Sequence, residues 1–145
     1  MVALLDVNVL VALFDPAHVH HDEAHAWFGA HRAHGWASCA TTENGFVRVL
    51  SNPAYPGRRT SLRDATSRLG QFCSSGGHAF WVEPVSLRDE ARFRLNHVQG
   101  HRQLTDVYLL ALAVERQGRL VTFDGSIPLK SAIGATPAHL VVVGR

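Results

Sequence analysis

The chain has 145 residues, of which 46% are hydrophobic and 18% are charged, and its formal net charge is +2. This composition predicts one folded domain with a sizeable core and excludes a disordered chain. No apolar run reaches the ~20 residues of a membrane span, and no basic region precedes the apolar N-terminus. We therefore expect neither a membrane protein nor a secreted one. The mild positive charge permits a polyanionic partner without requiring one.

The two cysteines, Cys39 and Cys73, fit no metal-ligand pair and are too few for a disulfide scaffold. Both lie in apolar stretches of sequence, so we interpret them as reduced core thiols. Together with the absence of a secretory pattern, they predict a cytoplasmic protein.

The first predicted strand ends on a carboxylate. An apolar run leads to Asp6, and apolar spacing resumes over 7–14, which predicts a short buried helix that Asp15 and Pro16 end. A charge in such surroundings is costly unless it is paired or binds a cation. Capping of the helix by Asp6 or Asn8 is the alternative role.

Helices and strands alternate along the rest of the chain. Helices are predicted over 20–33, 41–50, 61–73, 87–98 and 107–117, and strands over 36–40, 79–82, 120–123 and 140–143. Gly118 is expected to cap the helix over 107–117. The alternation predicts an α/β sandwich around a mostly parallel sheet. Ligands of such sheets bind beyond the carboxyl ends of the strands.

Four acidic residues fall at these strand ends or in the first turn of the helix that follows. They are Asp6, Glu43, Asp106 and Asp124. Each has a structural alternative, because the helix macrodipole favours acids in a first turn and Asp124 is followed by a glycine, which is typical of a turn. Four carboxylates at one edge would repel each other without a cation, and Mg²⁺ or Mn²⁺ prefers oxygen ligands. Convergence of the four acids therefore predicts a divalent metal site.

Four stretches resemble the motifs of PIN-domain nucleases, in particular the VapC toxins of bacterial toxin–antitoxin modules. They are LLDVN at 4–8, TTENGFVRVLSNP at 41–53, LTDVYLLALA at 104–113 and TFD at 122–124. No single motif is specific, but the ordered set is, and the second stretch is the most telling. The resemblance covers 1–145 as a single PIN domain. It implies a PIN-like α/β/α sandwich with a five-stranded, mainly parallel sheet flanked by helices.

The resemblance also implies a Mg²⁺- or Mn²⁺-dependent endoribonuclease toxin that cleaves cellular RNA, either tRNA or rRNA, and inhibits translation. The family's metal-binding and catalytic acids fall on Asp6, Glu43, Asp106 and Asp124. Its supporting polar residues fall on Asn8 and Thr122. The implied partners are a VapB-type antitoxin and a second copy of the chain. They would form a homodimer, and a heterotetramer or larger assembly with the antitoxin.

Basic residues in and beside the predicted loop over 52–59 are candidates for binding RNA. Arg58, Arg59 and Arg63 are predicted to contact phosphates, with Tyr55 as a stacking surface. A merely solvated role for the arginines is an equal alternative.

Other residues allow rival interpretations. His21 and His25 have metal-ligand spacing, but the stretch lacks the H-E-x-x-H pattern, so a polar helix face is favoured over a zinc hydrolase. A metal-free ribonuclease would use two histidines as acid and base. A catalytically silent PIN-like module that binds RNA or protein is disfavoured by the complete acidic quartet. Glu83 also ends a predicted strand, but it matches no family position, and we interpret it as a surface strand end.

Overall fold

The computed structural model describes residues 1–144, which form five strands and five α-helices. The strands are β1 (Ala3–Leu5), β2 (Trp36–Cys39), β3 (His78–Trp81), β4 (Arg119–Thr122) and β5 (Leu140–Val142). The helices are α1 (Val7–Phe14), α2 (His21–His31), α3 (Ala40–Ser51), α4 (Leu62–Cys73) and α5 (Leu104–Glu115). None of these helices is long and apolar enough to cross a membrane.

The five strands form one sheet in the order β3-β2-β1-β4-β5, and every pairing is parallel. Leu4 of the central strand pairs with Ala37 on one side and with Leu120 on the other. The predicted five-stranded, mainly parallel sheet is thus confirmed. Because β1 is central, the residue that follows it, Asp6, lies in the middle of the carboxyl edge of the sheet.

Helices cover both faces of the sheet. Successive residues of a strand point to opposite faces, and in β1 Leu5 packs into the core beneath α1–α4 whereas Leu4 packs into the core beneath α5. Both side chains are fully buried. This two-sided burial explains why the N-terminal run is apolar at consecutive positions, and it confirms the predicted α/β/α sandwich.

The end of α5 differs from the expectation that Gly118 caps the helix. Gln117 takes the left-handed conformation, with φ of 56°, and the Gly118 N–H donates to the Ala113 carbonyl at 2.9 Å. Glycine is needed at 118 for a different reason, because Val2 and Trp81 approach it closely. A Cβ there would lie 2.5 Å from the Val2 carbonyl oxygen and 2.6 Å from the Trp81 ring.

The helix predicted over 87–98 is wrong. The segment contains a 3₁₀ turn at Leu95–His97 and otherwise turns and extended chain. Its backbone groups pair with a distant segment, because the Arg94 N–H donates to the Ser131 carbonyl at 2.9 Å and the Arg92 carbonyl accepts the Ile133 N–H at 2.8 Å. These tertiary hydrogen bonds replace the local ones that an α-helix would need.

Candidate active site

The junction of β1 and α1 fixes the position of Asp6. Its Oδ1 accepts the Val7 N–H at 2.7 Å, which caps α1, and its Oδ2 accepts the Thr122 hydroxyl at 2.8 Å. Only 5% of Asp6 is exposed. Burial raises the pKa of Asp6, and the hydrogen bonds from Thr122 and Val7 oppose that rise. Asp6, and not Asn8, is therefore the helix cap, and it still contributes a carboxylate to the sheet edge.

Asp106 and Asp124 lie beside Asp6. Asp106 is in the first turn of α5, and its carboxyl group is close enough to those of Asp6 and Asp124 for the three groups to interact. Burial, followed by the charges of Asp6 and Asp124, raises the pKa of Asp106 to about 7. Asp124 also forms the predicted turn, since its Oδ1 accepts the backbone N–H and the hydroxyl of Ser126 at 2.8 and 2.7 Å. The structure thus brings together three of the four predicted acids.

The donor set at this cluster fits a hard divalent cation. Burial, and then the charges of Asp6 and Asp124, disfavour an ionised Asp106 in this cluster and raise its pKa to about 7. Asn8 lines the same cleft as Asp6 and Asp106, and its Oδ1 is buried with no hydrogen-bond partner in the described part of the chain. Carboxylates and an unpartnered amide oxygen are ligands that Mg²⁺ and Mn²⁺ take. A cation there would relieve the repulsion and satisfy the amide.

An open cleft of about 640 Å³ lies against Asp6 and Asp106. Among the side chains that line it are Thr41 and Arg48 of α3. Arg48 is exposed, and its guanidinium suits a phosphate group. Arg48 is not among the site residues predicted from the sequence. Its spacing of seven residues from Thr41 places the two on one face of α3, which is the signal that could have found it.

Glu43 is not part of the aspartate cluster. It lies two residues after Thr41 in the first turn of α3, on the side of the helix away from the face that lines the cleft. Its Oε2 accepts the Ser38 hydroxyl at 2.6 Å, and a carboxylate oxygen lies within 4.8 Å of ligand atoms of Cys73 and His78. The expected convergence of four carboxylates is therefore incorrect for Glu43 in this structure, and its part in metal binding stays a prediction.

Glu83 is more than a surface strand end, which corrects that interpretation. Its carboxylate accepts the N–H and the hydroxyl of Thr41 at 2.8 and 2.7 Å, and the Tyr108 hydroxyl at 2.6 Å. Burial would raise its pKa, but the hydrogen bonds from Tyr108 and Thr41 outweigh burial and lower it. Glu83 thus joins the end of β3 to α3 and α5 and fixes Thr41 at the wall of the cleft.

The histidines of the N-terminal region are mostly structural. His21 Nδ1 lies 2.7 Å from the Ala12 carbonyl oxygen, and His25 Nε2 lies 2.9 Å from the Leu13 carbonyl oxygen. These are carbonyl groups at the end of α1 that have no partner within the helix. The metal-ligand spacing of His21 and His25 is therefore explained by capping of α1. His18 differs, because it lines the cleft.

The predicted RNA-binding residues lie to one side of the cleft. Arg58 and Arg59 line a separate depression of about 560 Å³ beside α4, whereas Arg63 is exposed on that helix. Tyr55 lines the cleft, and its hydroxyl donates to Asp15 Oδ2 at 2.5 Å. The three arginines therefore lie outside the lining of the cleft, and their contact with RNA stays a prediction.

The sheet order, the helical layers and the aspartate cluster agree with a known family. The model of the PIN domain family matches residues 3–130. Fold and site thus define a PIN-domain protein.

Relatives from Mycobacterium tuberculosis place the chain more narrowly. It is 48% identical over 143 residues to Ribonuclease VapC44 of strain H37Rv, covering 99% of this chain and all of the relative. It is 43% identical to Ribonuclease VapC38 of the same strain, covering 97% and 99%, and 42% identical to Ribonuclease VapC39, covering 92% and 96%. The chain belongs to the VapC family of PIN-domain proteins.

Proposed function

We propose that this protein is a Mg²⁺- or Mn²⁺-dependent endoribonuclease toxin that cleaves tRNA or rRNA in the cytoplasm and thereby inhibits translation. Membership of the VapC family makes it a nuclease and supports a ribonuclease toxin of a toxin–antitoxin module. The metal, the RNA and the effect on translation are our proposal. The observation that carries it is the group of three carboxyls at the carboxyl edge of the sheet, with the Asp106 pKa raised to about 7.

Asp6, Asp106 and Asp124 would hold the cation. When bound, the cation would supply positive charge that activates a water and stabilises the phosphate in the transition state. The Thr122 hydroxyl and the Val7 N–H hold the Asp6 carboxylate in one orientation, so its oxygens are preorganised. Asp106 carries a proton for part of the time near pH 7, which couples ion binding to proton release.

Residues in the cleft wall would hold the RNA. Arg48 would donate charge-assisted hydrogen bonds to a phosphate of the RNA backbone, and Tyr55 would stack against a base. Arg58 and Arg59 would contact phosphates further along the strand, with Arg63 at the margin. Attack of water on the phosphate in line with the leaving sugar oxygen would give 5′-phosphate and 3′-hydroxyl ends.

The metal-free alternative has less support. It requires two histidines at the scissile phosphate. Among the described residues, His18 is the one histidine that lines the cleft, since His21 and His25 cap α1. A catalytically silent binding module also has less support, because it would give the crowded aspartates no role.

Digestion of total RNA tests the proposal. Purified protein is incubated with Mg²⁺, with Mn²⁺ or with EDTA, beside the variants Asp6→Asn and Asp106→Asn. The matched control is Asp22→Asn, which changes an exposed carboxylate on α2. We expect cleavage by the wild type and the control with metal, and a loss on the order of 100-fold or more in EDTA or in either cluster variant. Full activity in EDTA or in either variant would refute the metal mechanism.

We propose that a VapB-type antitoxin neutralises the protein by laying a peptide across the cleft. We further propose a homodimer, and a heterotetramer or larger assembly with the antitoxin. Light scattering on the purified chain and on the co-expressed complex measures both states. A monomer at micromolar concentration would contradict the homodimer.

A further inference from the structure

A second group of ligating side chains lies apart from the aspartates. Glu43 comes from the first turn of α3, Cys73 is the last residue of α4, and His78 is the first residue of β3. One ligand atom of each residue lies within 4.8 Å of the other two, and all three residues are half-buried. Three structural elements therefore bring a carboxylate, a thiol and an imidazole to one point.

Ser38 of β2 forms the floor of this group. It is fully buried, and its Oγ lies 2.6 Å from Glu43 Oε2 and 2.8 Å from His78 Nε2. The hydroxyl donates its single proton to the carboxylate, so in the second contact the His78 Nε2–H donates to Ser38 Oγ, and this tautomer leaves the lone pair of His78 Nδ1 free. A cation among Glu43, Cys73 and His78 would be coordinated by the lone pairs that these hydrogen bonds leave free.

We propose that Glu43, Cys73 and His78 bind a thiophilic divalent ion of the zinc type. Zinc takes thiolate, imidazole and carboxylate ligands in tetrahedral geometry, with the fourth position open to water. At zinc–ligand bond lengths of ~2.0–2.3 Å, ligand atoms of a tetrahedral site are about 3.5 Å apart, so the 4.8 Å cluster needs only a small closure. The donor set differs in kind from the all-oxygen set of the aspartate cluster, which favours Mg²⁺ or Mn²⁺.

The local chain supports the same ligand assignment. Four residues separate Cys73 from His78, a spacing that falls within both the two to four of cysteine pairs and the three to five of histidine pairs in zinc sites. The connecting turn includes Gly76 and Gly77, both with positive φ, which lets the chain reverse between the two ligands. The Trp36 ring lies 4.5 Å from the His78 ring and limits its freedom. Binding would exchange the thiol proton for the metal and release it to solvent.

This site would act on the protein in two ways. It would join α3, α4 and β3 through one ion, and so raise the thermal stability of the chain. It would also hold Glu43 on the α4 side of α3. This second consequence rests on the proposed function, because it would keep Glu43 apart from the three aspartates that would hold the catalytic ion.

Cobalt(II) spectroscopy on the full chain tests the site, because a cobalt–thiolate bond gives a charge-transfer band in the near ultraviolet. The chain has two cysteines, so Cys39→Ala is the matched control for Cys73→Ser. We expect the band in the wild type and the control, and its loss in Cys73→Ser. His78→Gln keeps the thiol and should weaken zinc binding on the order of 100-fold in a competition titration. Circular dichroism without metal checks that each variant is folded.

The outcomes separate this site from the proposed nuclease. Asp106→Asn should keep the cobalt–thiolate band, because the aspartate cluster offers oxygen ligands only. Absence of the band in the folded wild type, its persistence in Cys73→Ser, or unchanged zinc affinity in folded His78→Gln would overturn the inference. A protein that shows the band but cleaves no RNA would refute the proposed function and leave this site standing.

Discussion

Replacement of Asp106 by Asn should stabilise the metal-free protein at pH 8 although it abolishes RNA cleavage. Burial and the charges of Asp6 and Asp124 raise the pKa of Asp106 from 3.8 to about 7. Between these values the folded protein binds more protons than the unfolded one. The stabilising contribution of this group is therefore complete below about pH 4 and is lost as the pH rises through about 7. The amide keeps the shape of the side chain, removes the charge and can still donate to Asp6.

The size of the gain follows from the same pKa. The interval from 3.8 to about 7 sets a ceiling of about 4 kcal/mol, at about 1.4 kcal/mol per pH unit. Asp106 is only half-buried, so solvent screens its repulsion with the neighbouring carboxylates. We expect a gain of about 1–2 kcal/mol in the free energy of unfolding at pH 8, and none near pH 4.

Urea unfolding in EDTA, followed by tryptophan fluorescence at several pH values, measures this difference. Asp22→Asn is the control, and it should gain no stability between pH 5 and pH 8, because Asp22 is exposed. Mg²⁺ or Mn²⁺ should stabilise the wild type and not Asp106→Asn. A variant less stable than the wild type at pH 8, or a gain equal at pH 4 and pH 8, would refute the unfavourable ionisation of Asp106 as the cause.

Three further substitutions test other parts of the structure. Thr122→Val removes the hydroxyl that donates to Asp6 and should cost about 1.5–3 kcal/mol in urea unfolding at pH 7, so an unchanged midpoint would count against this contact. Gly118→Ala should cost at least about 1–3 kcal/mol because its Cβ meets backbone and a ring, whereas Gly29→Ala, with open space on α2, should be neutral or stabilising. Equal melting temperatures of these two variants would contradict the close approach at Gly118. Arg48→Gln should lower kcat/KM for RNA about 10-fold or more with the melting temperature unchanged, and full activity would remove Arg48 from the phosphate site.

The sheet and most helices follow from sequence patterns because local and tertiary preferences agree there. Apolar runs that end on a polar residue mark β1, β2 and β4 correctly, and the alternation of elements implies parallel pairing. The helix predicted over 87–98 is wrong because its amphipathic pattern belongs to a loop whose backbone pairs with residues 131–133. Its pairing partner is more than thirty residues away, which a local pattern cannot contain.

The residues of the candidate site were also only partly placed correctly from the sequence. Asp6, Asp106 and Asp124 are found from sequence because each is tied to a strand end or a helix start, whose place at the sheet edge is fixed by topology. Glu43 also starts a helix, but the rotation of α3 decides its direction. That rotation is set by tertiary packing, since a Cβ at Gly45 would lie 2.6 Å from a methyl group of Val7. The face of α3 that carries Gly45 therefore packs on α1, and Glu43, on the opposite side of the helix, lies beside Cys73.

The end groups of the cleaved RNA test the central claim most directly. Products formed by the purified protein in Mn²⁺ are mapped for their terminal phosphates, with Asp6→Asn and EDTA as parallel reactions. Cleavage by metal-activated water at the aspartate cluster predicts 5′-phosphate and 3′-hydroxyl ends that disappear in both parallel reactions. Products with 2′,3′-cyclic phosphate ends that form equally well in EDTA would contradict it.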